Sequence, residues 1–259
     1  MESDSEEGER PVGGLPEQIG YAASVKDYER VKVWLAGGSA SSPRSVNDRD
    51  DTGWTLLMST ATTDDVEFEE HVEFARYLIS RGARLDTQST VRRYTALHFA
   101  CKHTGGADAA MVSALVAAGA AINLQTREGA TPLFMIEEPS ESMLDVVTTL
   151  LRAGASLDYK DRQGSIQSFE EHLNSIGALH FEQRESVRAV RKLVASVRAA
   201  GSWKAHCRLA HKQILRLRSL VARGRTKERL ATTRAIRFIV RQGDNGIVWN
   251  ILSYWREPG

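Results

Sequence analysis

Two short phrases, each mixing apolar and small residues, alternate along the first two thirds of the chain. One phrase places apolar residues directly after a threonine, and the other places a glycine after an apolar stretch of helical spacing. The distance from Thr55 to Thr95 is 40 residues and that from Thr95 to Thr131 is 36. This regular spacing predicts an internal repeat. The phrases are GWTLLM (53–58), RYTALH (93–98) and GATPLF (129–134), alternating with RGARLD (81–86), AGAAIN (118–123) and AGASLD (153–158).

Each copy of the repeat is predicted to contain two helices. Threonine at the start of the first helix can accept hydrogen bonds from free backbone amides, and the leucine that follows can pack inward. The glycine of the second phrase supplies the left-handed conformation that commonly ends a helix. Asp, Asn and Gly between copies, as in LDYKDRQG (157–164), are typical of a hairpin turn.

These phrases resemble the TPLH and LLxxGAxxN signatures of the ankyrin repeat. The resemblance implies an all-α solenoid of helix-turn-helix repeats with hairpin-like turns over residues 15–181. A worn first copy lies in YAASVKDYERVKVWLAGG (21–38), and a half repeat starts at Gly164, where Ile166 replaces the threonine. About four and a half repeats suffice to bury a continuous core.

Histidine and cysteine cluster in YTALHFACKH (94–103), but a metal site is not the favoured interpretation. Structural zinc needs four ligands, and only His98, Cys101 and His103 are near one another. The resemblance instead makes His98 the histidine of the TPLH phrase, which bonds within its own repeat, and places Cys101 among small buried residues. We therefore expect no metal and no cofactor. A second group lacks further ligands in the same way: His206, Cys207 and His211.

The net charge of +1 hides two oppositely charged parts. Residues 1–181 carry 16 Lys or Arg and 28 Asp or Glu, whereas residues 182–241 carry 17 and 3. Amphipathic helices are predicted over 186–200, with valines on one face, and over 202–223, with Ser202 as its cap. A short third helix is predicted from Gly246.

This basic region, residues 182–259, is similar to a tail that follows ankyrin repeats in uncharacterised proteins of single-celled eukaryotes. Three interpretations remain open. The helices could cap the apolar end of the repeat stack. They could dock a second partner, as the tail of a ubiquitin-ligase substrate adaptor does. They could also bind nucleic acid, because clustered Lys and Arg neutralise phosphates.

Composition places the chain in a reducing compartment. Its two cysteines cannot form a disulfide framework, and neither a signal peptide nor a membrane-length apolar run is present. We expect a monomer of the cytoplasm or nucleus without a membrane contact, with a disordered acidic N-terminus over residues 1–14.

No nucleophile motif or phosphate-binding loop appears, so we expect a non-catalytic scaffold or adaptor that binds other proteins. In the ankyrin family the variable positions beside the turn glycine make the contacts. Trp54 and Tyr94 are either interface anchors or packing residues between neighbouring turns. Arg93 stands where a turn glycine belongs, and its turn has one extra residue. The predicted protein-binding residues are Asp51, Thr52, Trp54, Val91, Arg92, Tyr94, Arg127, Glu128, Arg162 and Gln163.

Overall fold

A computed structural model shows an all-α repeat solenoid with one small β-hairpin. The structure describes residues 14–38, 44–62, 70–102, 108–179 and 184–209. The helices in these ranges include α1 (Glu17–Ser24), α2 (Tyr28–Ala36), α3 (Leu56–Thr60), α4 (Glu70–Ser80), α5 (Ala96–Cys101), α6 (Ala109–Ala117), α7 (Met143–Arg152), α8 (Phe169–Leu179) and α9 (Arg184–Ala200), together with a 3₁₀ helix (Pro132–Met135).

The helices pair within repeats and stack in two layers. Helices α1, α3, α5 and the 3₁₀ helix contact one another in that order, and α4, α6 and α7 form a second series. The leucine two residues after each threonine is buried, at Leu57, Leu97 and Leu133. The predicted inward position of the phrase leucine is therefore confirmed, and it links each first helix to the core.

The threonines begin the first helices, but they do not all cap them. Thr95 and His98 form a capping box: the Thr95 amide donates to His98 Nδ1 at 3.1 Å, and the His98 amide donates to Thr95 Oγ1 at 3.4 Å. Burial lowers the pKa of His98 to about 4, against the opposing effect of the Ala130 and Leu124 backbone. The imidazole is thus neutral near pH 7, as an acceptor at Nδ1 requires. Thr131 makes no capping bond to a described residue, and its helix is a single 3₁₀ turn.

Asparagine and aspartate side chains form hydrogen bonds between neighbouring repeats. Asn47 Nδ2 donates to the carbonyl of Gly82 at 3.0 Å, and Asn47 Oδ1 accepts from the Arg84 amide at 2.7 Å. Asn123 repeats both bonds with Gly154 and Ser156, at 2.9 Å each. At the equivalent position Asp86 accepts from the Ala121 amide at 2.8 Å but has no proton to donate. The junction at Asp86 therefore has one side-chain hydrogen bond fewer than the junctions at Asn47 and Asn123.

A buried pair outside the repeat phrases connects two second-layer helices. His71 in α4 is 2% exposed, and its Nε2 lies 2.5 Å from Oδ2 of Asp108, which is 7% exposed. The other carboxylate oxygen of Asp108 accepts from the Ala110 and Met111 amides and caps α6. The pair thus joins the start of one helix to the repeat before it.

The solenoid continues beyond its last hairpin. Strands β1 (Asp158–Lys160) and β2 (Ile166–Ser168) pair antiparallel, with Asp158 opposite Ser168. Phe169 at the start of α8 is fully buried and packs edge-on against Phe134 of the 3₁₀ helix, with centroids 5.4 Å apart. Helix α8 therefore lies in the segment where the sequence predicts a final half repeat.

The first half of α9 packs on α8. The Arg191 guanidinium donates to the carbonyl of Leu173 at 3.1 Å, and a Cβ on Gly177 would lie 3.4 Å from Val187. The predicted apolar face is buried, and the arginines between its valines are exposed. The buried valines are Val187, Val190, Val194 and Val197.

The chain divides into two compact units, with the boundary in the sequence between Lys192 and Leu193. In the second unit residues 203–209 are helical, and Ser202 Oγ accepts from the Ala205 amide at 3.1 Å, which confirms the predicted cap. Residues 210–223 of the predicted second helix and the predicted helix from Gly246 lie outside the described residues, as do His103 and His211. The boundaries 14/15 and 181/182 remain predictions. None of the described helices is long and apolar enough to cross a membrane.

The single-bond junction at Asp86 gives a stability prediction. Asp86→Asn adds a donor that can reach the Gly119 carbonyl, so it should raise the free energy of unfolding by about 0.5–1 kcal/mol. The reciprocal change Asn123→Asp removes the bond to Gly154 and should lower it by a similar amount. Urea unfolding of both variants measures this pair, and shifts of the same sign would contradict the proposed role.

Candidate functional site

Four hairpin tips project from the repeats, and each is closed by its own backbone. The first residue of every tip donates its amide to the carbonyl of the last, at 2.8–3.0 Å. The first residue is always Asp, Ser or Thr, and its side-chain oxygen accepts from amides within the tip. The closing residues are therefore fixed by local hydrogen bonds. The tips are the first (50–54), second (89–94), third (126–130) and fourth (161–165).

Neighbouring tips are joined through the main chain. The Thr90 amide and hydroxyl both donate to the Thr52 carbonyl, at 3.0 and 2.7 Å, and the Arg127 amide donates to the Arg92 carbonyl at 2.9 Å. Gly129 lies so close to the fourth tip that a Cβ there would be 2.5 Å from the Lys160 carbonyl oxygen. The first three tips are therefore joined in a row, and the backbones of the third and fourth tips approach each other closely at Gly129.

Arg93 adopts the backbone conformation that glycine adopts in the other tips. Its φ is 59°, and the turn glycines Gly53, Gly129 and Gly164 have φ of 78°, 97° and 84°. A side chain in this left-handed region costs about 1–2 kcal/mol. Two contacts with Gln88 hold it: Arg93 Nε and Nη2 donate to Gln88 Oε1, at 3.1 and 2.9 Å. The second tip is one residue longer than the others, as the sequence indicated.

The two aromatic candidates, Trp54 and Tyr94, pack between the tips and helix α5. Trp54 is half-buried, and its ring lies 4.4 Å from that of Phe99. Tyr94 is 8% exposed and packs on Phe99 and His98, with centroids 5.4 and 5.9 Å apart. These contacts favour the packing interpretation of the pair, and Tyr94 offers little surface to a partner.

A groove of about 450 Å³ runs along the second, third and fourth tips. Four exposed cations line it, and the lining contains no aromatic ring. We call it the basic groove. Its lining residues are Arg93, Asn123, Leu124, Gln125, Thr126, Arg127, Gly129, Lys160, Asp161 and Arg162.

The carboxylate in the basic groove, that of Asp161, accepts hydrogen bonds from its own hairpin. Oδ1 accepts from the Gln163 and Ser165 amides at 2.9 Å, and Oδ2 accepts from Gln167 Nε2 at 3.0 Å. Desolvation raises the pKa of Asp161, but these hydrogen bonds outweigh it and hold the pKa below its usual value. The charge is therefore present near neutral pH but serves the hairpin, and it pairs with none of the four cations.

The structure brings some predicted site residues together and separates others. Arg127 and Arg162 line the basic groove, while Val91 is 58% exposed on the second tip. Asp51, Thr52, Arg92, Glu128 and Gln163 are exposed along the same row of tips. Their role in binding stays a prediction.

Sequence reasoning missed Arg93 and Lys160 as members of a site. In the sequence Arg93 stands out only as a replacement for a turn glycine, and Lys160 precedes its turn rather than flanking the glycine. Lys160 lies on the strand next to the third tip and therefore lines the groove between the third and fourth tips. The charged residues of YKDR (159–162) are the sequence signal that could have indicated this position.

Metal-ligating side chains do not converge in the described parts of the chain. No three His, Cys, Asp or Glu residues within them could hold one ion. Cys101 is buried, and desolvation raises the pKa of its thiol far above the ordinary value. The thiol is therefore protonated and packs as an apolar group.

A protein-family model described as ankyrin repeats, in three copies, matches residues 19–126 and 66–161. Together the matched segments cover more than half of the chain and include the first three tips. The match agrees with the phrases quoted above and with the stacked helix pairs.

The strained arginine gives a prediction for the second tip. Arg93→Gly removes the left-handed strain but adds unfolded-state freedom, so it should stabilise the fold by a net of about 0.5 kcal/mol. Gly129→Ala is the matched control: its Cβ meets the fourth tip, and it should destabilise by about 1 kcal/mol or more. Thermal unfolding of the two variants measures this contrast. Marked destabilisation by Arg93→Gly would show that the Gln88 contacts outweigh the strain.

Proposed function

This chain belongs to the ankyrin-repeat family, and from that premise we propose that it binds a partner protein through the row of hairpin tips. Ankyrin repeats mediate protein–protein interaction, and proteins of the family are typically non-catalytic. The observation that carries the proposal is the row of solvent-facing tips, of which the first three are joined by main-chain hydrogen bonds.

Rigidity of the row supports this proposal. Binding to a flexible loop loses affinity because the loop must be ordered, at about 0.5–1.5 kcal/mol for each immobilised side chain. Here each tip is closed by its own hydrogen bonds, and the first three are joined to their neighbours. The backbone of the binding surface would therefore lose little freedom when a partner docks.

The side chains that the tips expose to a partner are not those of Trp54 and Tyr94. Val91 and Arg92 are exposed at the second tip, and Arg127 and Arg162 at the next two. Arginine is enriched among residues that dominate binding energy at interfaces. We assign Trp54 and Tyr94 the role of holding these tips in position, through their contacts with Phe99.

The roles suggested for the basic tail rest on residues 182–259. Ligase recruitment and nucleic-acid binding both depend on predicted helices whose residues lie largely outside the described part of the chain. They remain alternative hypotheses, and the tips carry the proposal made here.

Site-specific photocrosslinking tests the proposed surface. A benzophenone amino acid replaces Val91, which is 58% exposed on the second tip, or Val33, which is 69% exposed on α2. The two sites are matched in residue type and exposure. After irradiation in cells, we expect a discrete heavier species from position 91 and none from position 33. Adducts from position 33 alone would place the interface away from the tips.

A further inference from the structure

We propose that the basic groove binds an acidic peptide segment of the partner protein. The inference rests on the proposed function, because it names the chemistry that the tips recognise. The cations come from three successive tips: Arg93 from the second, Arg127 from the third, and Lys160 and Arg162 at the fourth. A segment with several carboxylates lying along the row could meet all of them.

The charges in the basic groove are available to a ligand. Within the described residues, the side chains of Arg127, Lys160 and Arg162 make no hydrogen bond or ion pair with a protein group. Among the described residues, the Arg93 guanidinium donates only to the neutral amide oxygen of Gln88. By contrast, Lys102 is already paired with Glu137 at 2.7 Å. The cations of the groove therefore lack carboxylate partners within the described protein, and a partner could provide them.

The surrounding charge favours a short anionic segment over a long polyanion. Residues 1–181 contain 28 Asp or Glu and only 16 Lys or Arg, so the basic groove is a positive site within an acidic repeat region. A nucleic acid would extend beyond the groove and meet repulsion, because its phosphates continue along the whole strand. A peptide can place its carboxylates in the groove and neutral residues outside it.

The lining of the groove also distinguishes a peptide from a nucleic acid. Proteins that bind single strands without sequence preference stack bases on aromatic side chains, and the groove lining contains none. Ile166 is the cross-strand partner of Lys160 and is 66% exposed, so an apolar surface adjoins the cation. Alternating carboxylate and apolar side chains in a peptide would match this arrangement.

Arg93 adds a positive charge to the groove at a position where a side chain has a backbone cost. The other three tips have glycine at the turn position, and Arg93 occupies it with a left-handed backbone. Strained backbone persists where the surrounding structure holds it, often at binding sites. Here Gln88 holds the guanidinium beside the groove while also donating to the carbonyl of Arg93 at 2.9 Å.

Fluorescence anisotropy with the full-length chain tests the proposal. The probe is a fluorescein-labelled twelve-residue peptide of alternating Glu and Leu flanked by Gly and Ser, and its control has Gln at every Glu. We expect the Glu peptide to bind and the Gln peptide to bind at least about tenfold more weakly, as expected for loss of charge-assisted hydrogen bonds. Affinity should fall as salt rises. Equal binding of the two peptides would overturn the proposal.

Paired charge variants locate the binding. Arg127→Gln with Arg162→Gln should weaken binding of the Glu peptide about tenfold or more. The control, Arg76→Gln with Arg152→Gln, removes the same charge from exposed positions on α4 and α7 and should change it less than about threefold. Arg93→Gly should weaken binding without lowering the melting temperature. Equal losses in the two double variants would show a general charge effect and reject the groove.

Two further outcomes separate this inference from other possibilities. A thymidine oligonucleotide of the same charge serves as a third probe. If it binds more tightly than the Glu peptide and loses binding in the groove variant, the ligand of the groove is a nucleic acid and not a peptide. If the Glu peptide fails to bind while the crosslink at position 91 forms, the acidic ligand is wrong but the tips remain the interface. Lys160→Gln serves as a second groove variant should the double variant fail to fold.

Discussion

Main-chain hydrogen bonds between neighbouring hairpin tips set the positions of the exposed groups along this edge of the protein. Thr90 and Arg127 each donate a backbone amide to the tip before their own. Such bonds require the tips to lie at a fixed separation, which the helix pairs beneath them must maintain. The same separation places cations from three repeats along one groove. Packing in the core and charge on the surface are therefore linked through the backbone of the tips.

The junctions between repeats use a second set of contacts, in the segments that lead from the second helices into the hairpin tips. Asn47 and Asn123 each bridge a terminating glycine carbonyl and a later amide in the following repeat. The buried pair of His71 and Asp108 adds a polar link between α4 and α6. Removing one partner of such a buried pair commonly costs about 3–5 kcal/mol, because the other is left without compensation. Tips, junctions and this pair together hold the repeats in register.

The sequence predicted the repeating parts of the fold because local physical rules produce them. Threonine before a helix, leucine two residues later and glycine after the second helix each act within a few residues, and Leu57, Leu97 and Leu133 are buried as expected. The hairpin before α8 lies where the sequence predicts a final half repeat with Ile166 in the place of threonine, and that assignment stays a prediction. Thr131 shows the limit of the rule: its phrase closely matches the family signature, yet its first helix is a single 3₁₀ turn.

Features formed between repeats were harder to predict from the sequence. His71 and Asp108 are 37 residues apart and belong to no phrase, so nothing local indicates that they meet. The basic groove combines Arg93 with Lys160, which become neighbours only through the stacking of tips. The burial of Tyr94 follows likewise from its packing on Phe99 and His98. Periodicity identifies equivalent positions, but it does not determine which of them are covered by the next repeat.

Amide hydrogen exchange at the tips tests most directly whether they form one connected row. The amides of Thr90 and Arg127 belong to exposed residues but donate to neighbouring tips, whereas those of Asp51 and Arg162 donate to no described residue. We expect exchange at Thr90 and Arg127 to be slower by about a hundredfold or more, relative to their intrinsic rates, because it requires opening of the junction between tips. Equal protection factors at all four positions would contradict a connected row of tips.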